Sequence, residues 1–344
     1  MNDMSPVSHG LQTTPFGRTG MQITRVGFGA WALGGGDWAV GWGRQEDAAS
    51  IAAIRHAVSR GVNWIDTAAV YGLGRSERVV GAALREIPPS ERPFVFTKCG
   101  LVWDESNPRA MPRQIAKPDS IRRELEASLR RLGVERIDLY QVHWPSEDGT
   151  PLEEYWQTML ELRREGKVRA VGLSNHDAEQ LARAEALGHV DTLQPPFSAI
   201  RRSAAGRELP WCAAHETGVI VYSPMQSGIL SGGFSRERAQ RLPADDWRSR
   251  SPDFTGEGLD RNLALAEGLG RVAHRHGTST AAVAIAWTLA WPGVTAAIVG
   301  ARSPSQVDGW LGAPAVELSA TDLDEIASTI VSTGAGVGPI RPEV

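Results

Sequence analysis

The sequence lacks several features that mark particular classes of protein. It has only two cysteines, Cys99 and Cys212, too few for a disulfide framework or a cysteine-based zinc site. It has no run of about 18 uncharged apolar residues, and residues 1–14 lack the apolar segment of a signal peptide. A net charge of −4 offers no basic surface to nucleic acid. These absences predict a cytoplasmic protein without bound metal, membrane span or nucleic-acid partner.

Short β-branched runs alternate with longer amphipathic runs over most of the chain. The helical pattern at 46–61, for example, ends on a glycine, the residue that helix C-termini favour. Eight runs predict strands: 23–29, 62–66, 94–98, 137–143, 168–174, 191–194, 218–223 and 295–300. Alternating strands and helices pair in parallel through right-handed crossovers. Eight units predict an α/β fold of the closed (β/α)8 TIM-barrel type, with an open doubly wound sheet as the alternative.

Further segments are expected around this barrel. Residues 13–25 predict a β-hairpin ahead of the first barrel strand. Residues 279–291 and 319–331 predict extra helices. The chain contains no linker or internal repeat, and the predicted organisation is a single domain over 1–344, with a flexible N-terminal tail at 1–12 and a C-terminal tail at 333–344.

Polar residues occupy the ends of neighbouring predicted strands. Asp66 ends the second strand, and Tyr71, one of only four tyrosines, follows in its loop. Lys98 ends the third strand and His143 the fourth. Taken singly, each has an ordinary structural explanation, such as a helix cap, a packed loop residue or a rim side chain. Because catalytic groups of barrels lie at the C-terminal strand ends, the four together predict one acid–base cluster.

This cluster suits proton donation by a phenol. An unperturbed tyrosine has a pKa near 10, and a lysine ammonium beside its hydroxyl favours the phenolate and is expected to lower that pKa. Asp66 would keep Lys98 charged and in place, and His143 would hydrogen-bond the oxygen that receives the proton. The arrangement predicts general-acid catalysis of carbonyl reduction.

The same residues lie in segments that resemble the aldo-keto reductase superfamily. The resemblance extends over nearly the whole chain and is nearest to bacterial reductases related to general stress proteins and to potassium-channel β subunits. The segments that carry it are WIDTAAVYG (64–72), GRSERVVG (74–81), TKCG (97–100), YQVHWP (140–145), VGLSNH (171–176), YSPMQSGILSGG (222–233) and IVGARSPSQ (298–306).

The resemblance implies a reductase that converts a small carbonyl substrate to an alcohol. Tyr71 would be the proton donor, Lys98 and Asp66 the pair that tunes it, and His143 the group that orients the carbonyl. A nicotinamide cofactor is implied as the hydride source.

The resemblance also assigns residues to that cofactor. Ser174, Asn175 and Gln194 would hydrogen-bond the nicotinamide carboxamide, and Tyr222 would stack on its ring. NADP(H) is preferred over NAD(H), because the guanidinium of Arg302 would fork onto a 2′-phosphate. The other residues that would border the cofactor are Ala30, Trp31, Ser223, Pro224, Met225, Gly300 and Gln306.

The sequence departs from the family pattern near the expected phosphate contacts. Many members carry a lysine where this chain has Gly232 and Gly233, and Arg248 or Arg250 would substitute for it.

The substrate pocket is expected to be aromatic, since several of the twelve tryptophans fall in the predicted loops. An aromatic lining suits flat or apolar carbonyl compounds, or sugar rings. Besides Trp31, the residues predicted for this pocket are Trp38, Trp42, Trp103, Trp144 and Phe197.

Two other functions remain open from the sequence. One is a cofactor-sensing regulatory or interaction subunit with weak reductase activity, which the likeness to channel subunits allows. The other is an aldolase-type barrel in which Lys98 forms a Schiff base.

Overall fold

The computed structural model describes residues 10–343. Within them the strands are β1 (Thr13–Pro15), β2 (Gln22–Thr24), β3 (Val26–Gly29), β4 (Trp64–Asp66), β5 (Phe94–Cys99), β6 (Leu101–Val102), β7 (Arg113–Gln114), β8 (Ile137–Val142), β9 (Val168–Ser174), β10 (Thr192–Gln194), β11 (Gly218–Tyr222) and β12 (Ala296–Gly300). The α-helices are α1 (Asp47–Ser59), α2 (Arg75–Arg85), α3 (Pro118–Leu132), α4 (Leu152–Arg164), α5 (Ala178–Glu185), α6 (Glu208–His215), α7 (Arg236–Gln240), α8 (Gly256–Arg275), α9 (Thr280–Leu289), α10 (Pro304–Leu311) and α11 (Ala320–Thr333).

Eight of these strands close into a parallel barrel, which confirms the predicted (β/α)8 fold. The order around the barrel is β3, β4, β5, β8, β9, β10, β11 and β12, and β12 pairs with β3. Most predicted strands differ from the structure by one or two residues at one end, and the apolar run at 23–29 contributes to two strands instead of one. The hydroxyl of Thr24 donates to the carbonyl of Val26, and its backbone N–H donates to Asn63 Oδ1, so the chain turns at Arg25 between β2 and β3.

The predicted hairpin is formed by β1 and β2, and it closes the N-terminal end of the barrel. The two strands pair antiparallel, and Phe16, in the turn between them, is completely buried. Phe16 stacks on Phe96 of β5 with ring centroids 5.8 Å apart. A Cβ atom at Gly218, the first residue of β11, would lie 2.4 Å from the Phe16 ring, so the close approach requires glycine there.

Large side chains fill the barrel above this hairpin. Trp64 is completely buried, and its indole N–H donates to the carbonyl of Thr24. Its ring occupies the space that a side chain at position 27 would need, because a Cβ on Gly27 would lie 2.1 Å from it. The interior is therefore solid below the strand ends, and a ligand can enter only from the opposite side.

The extra helices lie outside this barrel as predicted. Helix α9 covers the outside of β12, and α11 packs on α8. The segment that follows α11 runs along the loop after β10, where Val337 forms a β-bridge with Arg201 and Ala335 is buried. Residues 1–9, which hold most of the predicted N-terminal tail, lie outside the described residues. Over 10–343, no helix combines the length and the apolar character that a membrane crossing requires.

Candidate active site

A cavity of about 800 Å³ opens at the C-terminal ends of the barrel strands. Its floor is built from the last residues of the strands and the positions that follow them. The long loops after β3, β5 and β11 form its walls. The residues of the floor are Gly29, Asp66, His143, Asn175, Gln194, Tyr222, Ile298 and Gly300.

Asp66, Lys98 and Tyr71 meet at one side of this cavity. The Lys98 ammonium donates to Asp66 Oδ1 at 2.6 Å and to the carbonyl of Thr67 at 2.9 Å. It also lies 3.5 Å from the Tyr71 hydroxyl, at the limit of a hydrogen bond. Asp66 and Tyr71 line the cavity, whereas the Lys98 side chain is 0% exposed and lies behind them. A Schiff base needs a free amine that a carbonyl can reach, so this ion-paired position disfavours the aldolase alternative.

Strand register brings these groups together. Asp66 on β4 is level with Phe96 on β5, so Lys98 lies two residues further up β5 and on the same face. Tyr71 returns over them because its loop packs closely on the loop after β3. Gly72, with φ +59°, has no room for a Cβ, which would lie 2.2 Å from the carbonyl oxygen of Gly34. This contact directs the preceding tyrosine over the barrel mouth.

Burial has opposite effects on the acidic and basic groups of this site. It raises the pKa of Asp66 and lowers the pKa of Lys98, while their ion pair opposes both shifts. It also raises the pKa of Tyr71 well above 10, and the negative charge of Asp66 adds to that shift. The lowered tyrosine pKa expected from the sequence is therefore not found, because burial, with the charge of Asp66 as a smaller contribution, raises it instead. Tyr71 is a neutral phenol at physiological pH.

His143 is the fourth member of the cluster. Its ring lies edge-on to Tyr71, with ring centroids 5.6 Å apart, and it borders the cavity. Burial, assisted by the positive charge of Lys98, lowers its pKa well below 6.5. The imidazole is therefore neutral at physiological pH and offers a single N–H donor.

The residues predicted for the nicotinamide form a hydrogen-bonded network that adjoins this cluster. Asn175, held at φ +61°, donates from its amide to the carbonyl of His143 at 2.9 Å and accepts from the Tyr222 hydroxyl at 2.8 Å. Gln194 donates to Asp66 Oδ2 at 2.9 Å. Ser174 donates to the carbonyl of Gln194 and is completely buried, so it supports the floor without bordering the cavity.

The residues predicted for the far end of the cofactor also line the cavity, but the key arginine already has partners. The guanidinium of Arg302 donates to Gln45 Oε1 at 2.6 Å, to the carbonyl of Trp42 at 3.2 Å and to the carbonyl of Arg44. Its backbone N–H donates to Gln306 Oε1 at 2.7 Å. Arg302 thus ties the loop after β3 to the end of β12. The other predicted cofactor residues that line the cavity are Ala30, Trp31, Ser223, Pro224, Met225, Gly300 and Gln306.

Arg248, a candidate for a missing phosphate contact, is similarly engaged. It forms a two-point ion pair with Asp246, at 3.0 and 2.7 Å, and donates to the carbonyl of Ser227. Its guanidinium also lies 4.6 Å from the centre of the Trp42 ring. Arg250 donates to the carbonyl of Ala244 at 3.5 Å. Arg248 therefore joins the loops after β3 and β11.

Four of the tryptophans predicted for the pocket border the cavity, and two other predicted residues do not. The four are Trp31, Trp38, Trp42 and Trp144. Phe197 instead lies in the core, because its ring packs outward on Trp287 and Trp291, at 6.0 and 5.4 Å between centroids. Trp103 packs near Trp38 and Tyr71 but lies outside the cavity wall.

Several contributors to the site were missed in the sequence. Trp247, after β11, stacks on Trp31 with centroids 5.6 Å apart, and its position follows only from loop contacts. Met111 reaches the cavity through the small hairpin of β6 and β7. Gln141 lies below the floor with its Oε1 3.4 Å from Gln194 Nε2. The sequence held a signal for Gln141, because it lies on β8 two residues before His143 and alternate residues of a strand share a face.

Comparisons with known proteins agree with this fold. The model of the Aldo/keto reductase family matches residues 25–330. The chain is 33% identical to Aldo-keto reductase YhdN of Bacillus subtilis, covering 97% of both chains. It is 34% identical to the NADH-specific methylglyoxal reductase of Escherichia coli, covering 91% of this chain and 96% of the relative.

A solved structure is similar over the whole barrel. The glycerol dehydrogenase AKR11B4 from Gluconobacter oxydans superposes with a TM-score of 0.85 at 34% identity, covering 97% of this chain and 98% of that one. Fold, site and matches together define an oxidoreductase that acts on carbonyl groups with a nicotinamide cofactor. The chain belongs to the aldo/keto reductase family.

Proposed function

We propose that this protein reduces aldehydes and ketones to alcohols with NADPH, and that Tyr71 is the general acid. The observation that carries the proposal is the cluster at the cavity wall, where the Tyr71 hydroxyl lies 3.5 Å from the Lys98 ammonium and its ring lies beside His143. A carbonyl oxygen placed between Tyr71 and His143 would meet two hydrogen-bond donors at once.

Tyr71, His143 and Lys98 have separate parts in the proposed proton transfer. Tyr71 keeps its proton at neutral pH because burial raises its pKa, so it is available as a donor. His143, which is neutral, donates its N–H to the carbonyl oxygen and orients it. As the proton leaves Tyr71, the nearby ammonium of Lys98 stabilises the phenolate, and solvent then returns a proton to the phenol.

The cavity has the size and the donors to hold the cofactor. A volume of about 800 Å³ lies within the range of small-molecule sites. On its wall, the buried indole N–H groups of Trp31, Trp42 and Trp310 have no hydrogen-bond partner among the described residues. Asn175, Gln194 and Tyr222 would hold the nicotinamide, and Gly300 and the loop at 223–225 would border the rest. When bound, the cofactor supplies the hydride that reaches the carbonyl carbon.

The preference for NADPH over NADH rests on Arg302. Its guanidinium borders the cavity, and burial is the main cause that lowers its pKa, so an added phosphate would meet a poorly solvated cation. To bind that phosphate, Arg302 must share or release its contacts with the loop at 42–45. One relative is NADH-specific, so a preference for NADH is the alternative. The ratio of the KM values measured for NADPH and NADH decides between the two preferences.

The substrate side of the cavity is apolar. Trp38, Val70, Leu101 and Trp144 line it, and Met111 at its edge is 68% exposed. We propose uncharged carbonyl compounds with an aromatic or aliphatic body as substrates. A cytoplasmic location belongs to the same proposal and is supported by two buried, unpaired cysteines, Cys99 and Cys212.

The loss of NADPH absorbance with an activated aromatic aldehyde tests the function. Turnover that is abolished in Tyr71→Phe, with unchanged far-UV circular dichroism, is the expected result. Tight retention of NADPH with only residual turnover would instead favour the regulatory-subunit alternative.

A further inference from the structure

A second cavity lies on the outer surface between helices α2 and α3. Its volume is about 430 Å³, and we refer to it as the arginine cleft. All but one of the residues that line it are arginines: Arg78, Arg85, Ala127, Arg130 and Arg131. None of these residues lines the candidate active site.

The positive charge of the arginine cleft is largely uncompensated. Arg131 pairs with Glu77, with 2.6 Å between Nε and Oε2. Within residues 10–343, Arg78, Arg85 and Arg130 have no carboxylate at ion-pair distance. By contrast Arg122, on the same helix as Arg130, pairs with two glutamates. The cleft therefore gathers four guanidinium groups around one carboxylate.

Helix dipoles account for only part of this clustering. Arg85, Arg130 and Arg131 occupy the last turns of their helices, where cations are modestly favoured. Arg78 belongs to an earlier turn and still converges on Arg131. A Cβ built on Gly74 would lie 3.0 Å from Arg78 Nη1 and 3.2 Å from Arg131 Nε. Two like charges that approach the same point favour an anion between them.

The cleft also connects with the strand that bears Lys98. Glu77, which is 0% exposed, accepts from the Thr97 hydroxyl at 2.6 Å on the oxygen that Arg131 leaves free. Glu124 accepts from the backbone N–H of Gly100 at 2.9 Å. The carboxylates of Glu77 and Glu124 thus each accept one hydrogen bond from the segment 97–100. Arg131 acts on both, because it pairs with Glu77 and its charge lowers the pKa of Glu124, which burial raises to about 7.

We propose that the arginine cleft binds a small molecule that carries a phosphoryl group, and that its binding competes with Glu77 for Arg131 and so changes the placement of Lys98. Guanidinium groups fork onto phosphate oxygens, and three uncompensated cations more than balance the charge of a phosphoryl dianion. The cleft volume suits a small ester. The binding step is independent of the proposed function, whereas the effect on Lys98 rests on it.

Binding is tested by titration calorimetry on the full chain in a low-chloride buffer, with inorganic phosphate and glucose 6-phosphate as separate probes. The test variant is Arg78→Gln/Arg130→Gln. The control is Arg123→Gln, which removes one positive charge from an exposed arginine of α3 outside the cleft. We expect the double variant to lose affinity by about tenfold or more, while the control binds as the wild type does.

The two probes separate the sources of the phosphoryl group. Equal affinities identify free phosphate as the ligand, and tighter binding of the sugar phosphate identifies an ester. No heat from either probe, or unchanged binding by the double variant, overturns the proposal. Far-UV circular dichroism and melting temperature confirm that the variants are folded.

The connection to Lys98 has its own readout. With NADPH and aldehyde saturating, the bound probe should change kcat by about fivefold in the wild type and the control, and leave the double variant unaffected. Binding without a change in kcat would refute the connection to Lys98. If the protein does not reduce any carbonyl, the function proposed above fails while calorimetry still decides the binding site.

Discussion

The two ends of the main cavity are built in different ways. At the end that holds Tyr71, Lys98 and Asp66, the polar groups bond to one another, and Asp66 and Lys98 lie on adjacent barrel strands. At the end that holds Arg302 and Arg248, the cations bond to loops. The first end is set by strand register, and the second depends on how two long loops contact each other.

This difference separates chemistry from cofactor selection. In the proposed function, the first end carries out the chemistry, and the contacts of Lys98 with Asp66 and Thr67 preorganise it. In the same proposal, Arg302 exchanges contacts with the loop at 42–45 for a phosphate, so the loop end would determine which dinucleotide binds. Changes at the catalytic end should therefore abolish turnover or stability, whereas changes at the loop end should alter affinities.

The largest effect is expected from Tyr71→Phe. It removes the proton donor without removing the ring, so kcat should fall by about 10²–10⁴. Tyr140→Phe is the matched control, because Tyr140 is a buried tyrosine whose hydroxyl donates to the Ile121 carbonyl in the core. NADPH-coupled assays of both variants check the prediction. Equal losses would show that Tyr71 acts only through packing.

The next largest effect is expected on stability, from breaking the buried ion pair of Lys98 and Asp66. Lys98→Met leaves Asp66 buried without its cation, which should lower the free energy of unfolding by about 3–5 kcal/mol. Lys167→Met breaks a half-exposed pair with Glu126 and should cost no more than about 1 kcal/mol. Urea unfolding measures both.

A double variant supplies the check on this prediction. Asp66→Asn/Lys98→Met removes both charges and should recover part of the loss, because no unpaired ion remains. A double variant as unstable as Lys98→Met alone would contradict an electrostatic origin.

His176 should make the free energy of unfolding depend on pH. This buried imidazole bridges the Ser174 carbonyl and the Tyr155 hydroxyl, both at 2.8 Å, and burial lowers its pKa to about 4. Between about pH 6.5 and 4 the unfolded chain binds a proton here that the native chain does not. The free energy of unfolding should therefore fall by about 3 kcal/mol as pH drops through this range.

His176→Gln provides the comparison for this titration, since glutamine does not titrate. Urea unfolding at pH 7 and pH 4 should show a smaller loss in the variant than in the wild type. Parallel losses would assign the pH dependence to other groups, such as His143.

The smallest effect is expected at the loop end. Arg302→Leu should raise the KM for NADPH by about tenfold, as expected for the loss of one charged hydrogen bond, and raise the KM for NADH less. NADH thus serves as the internal control. An equal rise for both cofactors would mean that Arg302 acts only by holding the loop at 42–45.

The catalytic end could be predicted because its residues are placed by rules that act along the chain. Asp66, Lys98 and His143 were identified as ends of consecutive strands, and parallel strands bring their C-terminal ends to one rim. The closed barrel followed from the alternation of strands and helices, and the hairpin from the pattern at 13–25. The lowered pKa predicted for Tyr71 was wrong, because burial and the charge of Asp66 are not visible in a strand pattern.

The loop end could not be predicted in the same way. The positions of Trp247, Met111 and Arg248 depend on contacts between segments far apart in the chain, and loops follow no periodicity. Phe197 shows the same limit, since its position after a strand did not reveal that its ring packs outward on Trp287.

The sequence by itself determined the barrel, the order of its strands and the four residues that meet at its mouth, because hydrophobic alternation and strand ends are local properties of the chain. Only the tertiary structure decided which groups are charged, which tryptophans face the cavity and where Arg302 and Arg131 find their partners. These outcomes depend on burial and on contacts between distant loops and helices, and both exist only once the chain is folded.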